Sequence, residues 1–133
     1  MNAKKILIVE DELLIQMSEK IMLKNAGFEV TLANDGLQAI ELATSNHYDI
    51  IFMDIGLPDL SGIEVTKKIR DYEKQELKTH SPIIIALTAH PFKELGETCQ
   101  AAGMNAYIQK PLSVHKIDKL VQTEMTSGYG EIL

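Results

Sequence analysis

What this sequence has little of already narrows it. A single cysteine, Cys99, rules out an internal disulfide, and within an apolar helical stretch it reads as a small buried hydrophobe suited to a reducing cytosol. Positive charge is in deficit: 13 basic against 19 acidic side chains give a net charge of −6, which leaves no basic stripe to follow a nucleic-acid backbone. Direct nucleic-acid binding is therefore not expected. Long hydrophobic runs are missing too, because Ile6-Leu7-Ile8-Val9 stops at Glu10-Asp11-Glu12, too short for a signal peptide or a membrane span. Direct membrane contact is not expected either. No Gly-x-x-x-x-Gly-Lys-Ser/Thr loop, no Gly-x-Gly-x-x-Gly after the first apolar run and no Cys/His pair at metal spacing occurs, which removes the common nucleotide and zinc signatures. His47, His80, His90 and His115 are scattered and read as surface or loop residues.

What is present is alternation. At 133 residues the chain has the size of one domain, with an expected core over about 4–126 and a frayed tail over 127–133. Apolar, β-rich runs at Lys4–Val9, Phe28–Ala33, Ile50–Met53, Ile83–Leu87 and Ala106–Gln109 alternate five times with helical patterns. Several are continuously apolar, as strands covered by helices on both faces must be. The first helix is expected to bury Leu13, Met17 and Ile21, with Leu14 and Met22 alongside, and to end at Gly27; Leu37, Ile40 and Leu42 mark the second, Ile63, Thr66 and Ile69 the third. Val114, Ile117, Val121 and Met125 mark the last. Asp35, Ser61 and Ser113 sit where helix starts want a side-chain acceptor. Pro91 suits the first turn of the fourth helix, whose Gly96 and Thr98 make it weak and therefore movable. Asp71 to Ser81 reads as a long polar connection.

An open parallel α/β sheet binds ligands beyond the carboxyl ends of its strands. Those ends carry Glu10-Asp11 after the first strand, Asp54 after the third, Thr88 after the fourth and Lys110-Pro111 after the fifth. Singly, each has a structural explanation: Asp11 or Thr88 as a helix cap, Asp54 as a turn opener before Gly56 and Pro58, Lys110 as a snorkelling lysine. Together they imply repulsion between carboxylates that a divalent cation would remove. Magnesium fits an oxygen shell of Asp11 and Asp54, Glu10 through water, and a backbone carbonyl just after Asp54. A carboxylate beside such an ion is a competent nucleophile toward phosphorus, and Lys110 and Thr88 supply positive charge and a donor for the transferred oxygens.

With these residues in place the sequence resembles the receiver domain of two-component response regulators over Lys4 to about Met125. The motifs agree in order: Ile8-Val9-Glu10-Asp11-Glu12, Met53-Asp54-Ile55-Gly56-Leu57-Pro58-Asp59-Leu60-Ser61-Gly62, Ala86-Leu87-Thr88-Ala89 and Tyr107-Ile108-Gln109-Lys110-Pro111. Pro58 and Gly62 lie four and eight positions after Asp54, as in the family. The resemblance implies a flavodoxin-like (βα)5 three-layer sandwich whose five-stranded parallel sheet has the order 2-1-3-4-5. It implies Asp54 as phosphoacceptor, receiving a phosphoryl group from a phosphohistidine of a sensor histidine kinase or a phosphotransfer domain. Glu10 and Asp11 are then metal-binding acids that hold magnesium or manganese with Asp54 and the Gly56 carbonyl, Thr88 and Lys110 contact the phosphoryl oxygens, and Tyr107 is a switch aromatic that follows Thr88.

Such a protein is a signalling switch, with only magnesium-dependent self-phosphorylation and autodephosphorylation of its own. Its expected place is the cytoplasm, including the cytoplasmic part of a membrane-bound hybrid kinase. The readout is expected in a separate downstream protein, because the last helix uses up the residues after Lys110-Pro111. The Asp71–Ser81 connection and Ala102-Gly103-Met104-Asn105 resemble receivers fused to hybrid kinases, so a stand-alone regulator and a module of a larger kinase both stay open. Gly56 carries no side chain to shield a phosphoryl group, which favours exchange with a partner. The alternatives are a receiver-like scaffold that is never phosphorylated and a flavin- or nucleotide-binding α/β protein; the first sits badly with intact Asp54, Thr88 and Lys110, the second lacks its loop.

Overall fold

Continuous apolar runs become buried strands. In the computed structural model, which describes residues 3–123 and 128–133, Ile6–Val9, Ile51–Met53 and Ile84–Leu87 are almost wholly inaccessible to solvent. The elements run β1 (Lys5–Val9), α1 (Leu13–Asn25), β2 (Glu29–Ala33), α2 (Gly36–Ser45), β3 (Ile50–Asp54), α3 (Gly62–Gln75), β4 (Ile83–Thr88), α4 (Phe92–Ala102), β5 (Ala106–Gln109) and α5 (Val114–Thr123). All strand pairs are parallel, in the order β2-β1-β3-β4-β5. This is the doubly wound sheet that the resemblance implied.

Alternation along the strands divides the core in two. Leu7, Val9, Ile51, Met53, Ile84 and Ala86 pack beneath α2, α3 and α4 with Ala39, Val65, Ile69 and Cys99. Ile6, Ile8, Phe52, Ile85 and Leu87 pack on the other face with Leu23 of α1 and Ile117 and Leu120 of α5. Truncating a central residue such as Phe52 to alanine costs about 3–5 kcal/mol in such a core.

The cap positions hold. Asp35 accepts from Gln38 N–H, Ser61 from Glu64 N–H and Ser113 from Lys116 N–H. Pro91 stands just before α4, and Gly103 ends that helix in the left-handed region at φ 109°. The polar connection is shorter than expected, because α3 continues to Gln75 and takes Asp71 with it. Arg70 on that helix ties the layers together: Nε donates to Gly103 O at 2.9 Å and Nη2 to Asn105 Oδ1 at 2.8 Å, while Nη1 reaches Glu73, Ser81 and Pro82 O.

Two expectations are corrected. On α1 the buried residues are Gln16, Glu19 and Leu23, whereas Leu13, Met17 and Ile21 face solvent at 66%, 50% and 58% exposure. The apolar stripe is not the core face: Leu23 packs inward together with two polar residues, of which Gln16 finds partners at the strand ends in Glu10 O and Asn34. Val114 and Val121 of α5 are exposed in the same way, with Ile117 and Leu120 turned inward; Met125 lies outside the described residues. Second, residues 128–133 are not a loose end. They run beside β5, with Tyr107 N–H donating to Gly130 O at 3.1 Å and Ile132 N–H to Tyr107 O at 2.8 Å.

Candidate acidic metal centre

Register fixes what meets at the carboxyl rim. Because β1 pairs with β3 and β3 with β4, with Asp54 opposite Leu87, the residues that end these strands fall side by side. Glu10 follows β1, Asp54 closes β3, Thr88 closes β4 opposite Gln109, and Lys110 follows β5. Lys110 N–H donates to Thr88 O at 2.7 Å, which carries the end of β5 onto that of β4.

One carboxylate oxygen from each of Glu10, Asp11 and Asp54 lies within 4.8 Å of the others. Glu10 and Asp54 are buried and Asp11 is exposed. The Lys110 ammonium is the internal counter-charge, at 2.9 Å from Glu10 Oε1 and 3.4 Å from Asp54 Oδ2. Burial works against that ammonium, but the hydrogen bond to Glu10 and the Asp54 charge outweigh it, so its pKa stands above the ordinary lysine value. Asp54 Oδ1 accepts from Gly56 N–H at 3.1 Å, and Glu10 Oε2 from Glu12 N–H at 3.2 Å. A magnesium shell at about 2.1 Å spans roughly 4.2 Å between opposite oxygens, so hard oxygen donors held within 4.8 Å of one another suit the ion's chemistry and would draw in slightly to hold it.

The sequence-derived residues are therefore brought together, and several others join them. Gly62 is one: a β-carbon there would lie 2.1 Å from Asp54 O, so α3 can begin against the end of β3 only with glycine. Gln16 Nε2 donates to Glu10 O and, at 2.6 Å, to Asn34 Oδ1, stapling α1 to the loop that follows β2. Asp59 accepts from Gly36 N–H and Leu37 N–H at the start of α2, and these backbone donors hold its pKa below the usual carboxylate value. Glu19 was legible only as an acid on a helix. It is 3% exposed, its Oε1 has no hydrogen-bond partner, and burial, aided by the Glu10 charge, lifts its pKa to about 7.

Thr88 is buried, and its Oγ1 accepts from His90 N–H at 3.2 Å. Tyr107 is fully buried; its hydroxyl donates to His90 O at 2.6 Å and its ring meets Phe92 edge-on, with centroids 5.2 Å apart. Burial pushes that phenol up to about 12, so it remains a donor at any ordinary pH. Cys99, lifted to about 11 by burial, is the inert thiol expected. Of the histidines, His90 meets Glu94 at 3.2 Å, while His47 and His80 lie tilted against each other at the opposite rim with ring centroids 3.4 Å apart. No helix among the described residues is long and apolar enough to cross a membrane.

The geometry has clear counterparts. The response regulator receiver domain family matches residues 6–122. The polar-differentiation response regulator DivK of Brucella suis is 39% identical over 120 residues, covering 90% of this chain and 94% of DivK. Probable histidine kinase 1 of Oryza sativa subsp. indica is 34% identical over 148 residues, covering 91% of this chain, which spans only 15% of that protein's length. The receiver domain of the Pseudomonas aeruginosa sensor histidine kinase PA1611, with magnesium coordinated in its active-site cleft, superposes with a TM-score of 0.80 at 38% identity, covering 94% of this chain and 99% of that one. The co-crystal of the Saccharomyces cerevisiae phosphotransfer protein Ypd1 with the receiver domain of Ssk1 gives a TM-score of 0.82 at 35% identity, covering 91% and 88%.

Proposed function

The chain belongs to the response regulator receiver family of two-component signalling, and from that premise we propose that Asp54 accepts a phosphoryl group from a phosphohistidine. The observation that carries this reading is the Glu10–Asp11–Asp54 cluster with Lys110 as its resident cation. The chain is a signalling switch, and the transfer itself is the only chemistry assigned to it. An Asp54 carboxylate oxygen attacks phosphorus, the nitrogen–phosphorus bond breaks, and its electron pair returns to the donor imidazole, leaving an acyl phosphate.

Glu10, Asp11 and Asp54, with the Gly56 carbonyl, are the groups assigned to hold Mg²⁺ or Mn²⁺. Such an ion supplies positive charge for the equatorial oxygens of the transferred group. Lys110 provides a further cation and Thr88 a hydroxyl donor, both already at the rim. When Thr88 turns toward the new charge it gives up its contact with His90 N–H, and the loop that holds the Tyr107 hydroxyl shifts. A downstream protein reads the altered surface.

The phosphodonor surface is assigned to α1. Leu13, Met17 and Ile21 are exposed, and Leu14 is 81% exposed beside a cavity of about 260 Å³ that Lys110, Pro111 and Leu112 also line. An apolar patch that ends at the acidic rim suits a histidine-bearing sensor kinase or phosphotransfer protein. The deciding experiment is incubation with acetyl phosphate and magnesium, read by intact mass. One phosphoryl group is expected on the wild type and none on Asp54→Asn; uptake that persists in the variant overturns the assignment.

A further inference from the structure

The free edge of β5 is already occupied. An edge strand offers unpaired N–H and C=O groups, and a parallel bridge between Tyr107 and Glu131 takes up those of Tyr107. The docked segment alternates as a strand should: Tyr129 packs with the core layer under α4, and Ile132 with the layer under α1 and α5. Tyr129 lies over Phe92, with ring centroids 5.9 Å apart, and its hydroxyl donates to Gly96 O. Gly96 permits this arrangement, since a β-carbon there would stand 2.8 Å from the Phe92 ring.

Tyr107 is where this contact meets the site. Its backbone holds the segment, its ring touches Phe92, and its hydroxyl holds His90 O, two residues beyond Thr88. Thr88 Oγ1 in turn accepts from His90 N–H. Each link is a direct contact, so any movement of Thr88 reaches the segment through two residues. Two backbone hydrogen bonds, the Tyr129 hydroxyl bond to Gly96 O and the packing of Tyr129 and Ile132 are a small holding force beside a full strand ladder, which a shift in the loop can overcome.

We propose that residues 128–133 form a strand-like strap docked on β5, which phosphorylation at Asp54 loosens, uncovering the Tyr107 backbone edge and the Phe92 ring. The inference rests on the phosphoacceptor reading above. In the unphosphorylated chain the strap closes this edge to any other strand. By reciprocity of linked equilibria, whatever weakens the strap must strengthen binding of a phosphoryl group or its mimic at Asp54.

The test uses the full chain with beryllofluoride and magnesium as the phosphoryl mimic. Fluorine NMR reports occupancy, and amide hydrogen exchange reports the strap. Bound beryllofluoride is expected to speed exchange at the Tyr107 and Ile132 amides at least tenfold, with no such change in Asp54→Asn. Tyr129→Ala is expected to bind beryllofluoride several-fold more tightly than wild type, and Tyr129→Phe, which keeps the ring, to fall between them. Beryllofluoride bound with unchanged exchange at Ile132, or equal affinity in Tyr129→Ala, overturns the strap alone. No occupancy in the wild type overturns the Asp54 assignment and the coupling together.

Discussion

Lys110 stands closer to Glu10 than to Asp54, 2.9 Å against 3.4 Å, so the lysine is shared between one acid assigned to metal and one assigned to phosphorus. Glu10 is almost completely buried, and the Lys110 ammonium is the cation that faces it there. A divalent cation held by Glu10, Asp11 and Asp54 would compete with Lys110 for the same oxygens and would leave the lysine available to the transferred group.

Lys110→Met is therefore expected to destabilise the magnesium-free chain by about 3 kcal/mol, because it leaves a buried carboxylate without its counter-charge. Magnesium should recover much of that loss and raise the melting temperature more in the variant than in the wild type. Phosphoryl uptake should still fall at least tenfold. Thermal melts with and without magnesium, together with the acetyl phosphate assay, check both; an equal rise in the two proteins would show that Lys110 and the metal do not share ligands.

Gly56 and Gly62 flank the same loop but face opposite constraints. A β-carbon at Gly62 would overlap Asp54 O at 2.1 Å, while one at Gly56 would meet nothing within 4 Å. Gly62→Ala should cost about 2 kcal/mol or more, since backbone must give way, and Gly56→Ala less than about 0.5 kcal/mol. Denaturant unfolding measures both. A larger residue at Gly56 should leave stability alone and alter the lifetime of phosphorylated Asp54, which a time course after donor removal reports.

Much of this was legible in the sequence because it depends on chain order. Strand runs, the Asp35, Ser61 and Ser113 caps and the residues ending each strand follow from periodicity and local chemistry, and parallel register then brings Glu10, Asp54, Thr88 and Lys110 together. Contacts set by three-dimensional packing were not legible. Leu13, Met17 and Ile21 have helical spacing, yet the inward positions include Gln16 and Glu19: Gln16 is satisfied by Glu10 O and Asn34, while Glu19 is buried with no partner for its Oε1 and against the charge of Glu10. Periodicity finds an apolar stripe without saying whether the core or a partner covers it. The return of residues 128–133 to β5 escaped for a related reason: a short run with two glycines reads as coil until an open edge accepts it.

Glu19 gives the fold an unusual pH response. Burial lifts its pKa from the ordinary 4.5 to about 7, so between those values the folded chain holds a proton that the unfolded chain releases. Its contribution to stability is greatest below pH 4.5 and shrinks as pH climbs toward 7, by an amount on the order of 3 kcal/mol. Glu19→Gln removes this dependence. In magnesium-free buffer the variant should be more stable than wild type at pH 8 and close to it at pH 5. Equal differences at both pH values would mean that the carboxyl is solvated in the folded chain.

The exposed face of α1 supplies the last prediction. Leu14 and Met17 project from a helix held by Leu23 on its opposite side, so replacing them with glutamate disturbs little of the core. Leu14→Glu and Met17→Glu should each change unfolding free energy by less than about 0.5 kcal/mol. Uptake from acetyl phosphate, which needs only the rim, should match wild type. Transfer from a phosphorylated histidine phosphotransfer protein should fall at least tenfold in the double variant, since two charges would be buried against the partner's apolar surface. Comparing the two donors on the same preparation separates docking from chemistry: a matched loss with both would place the defect at Asp54, and no loss with either would move the docking surface off α1.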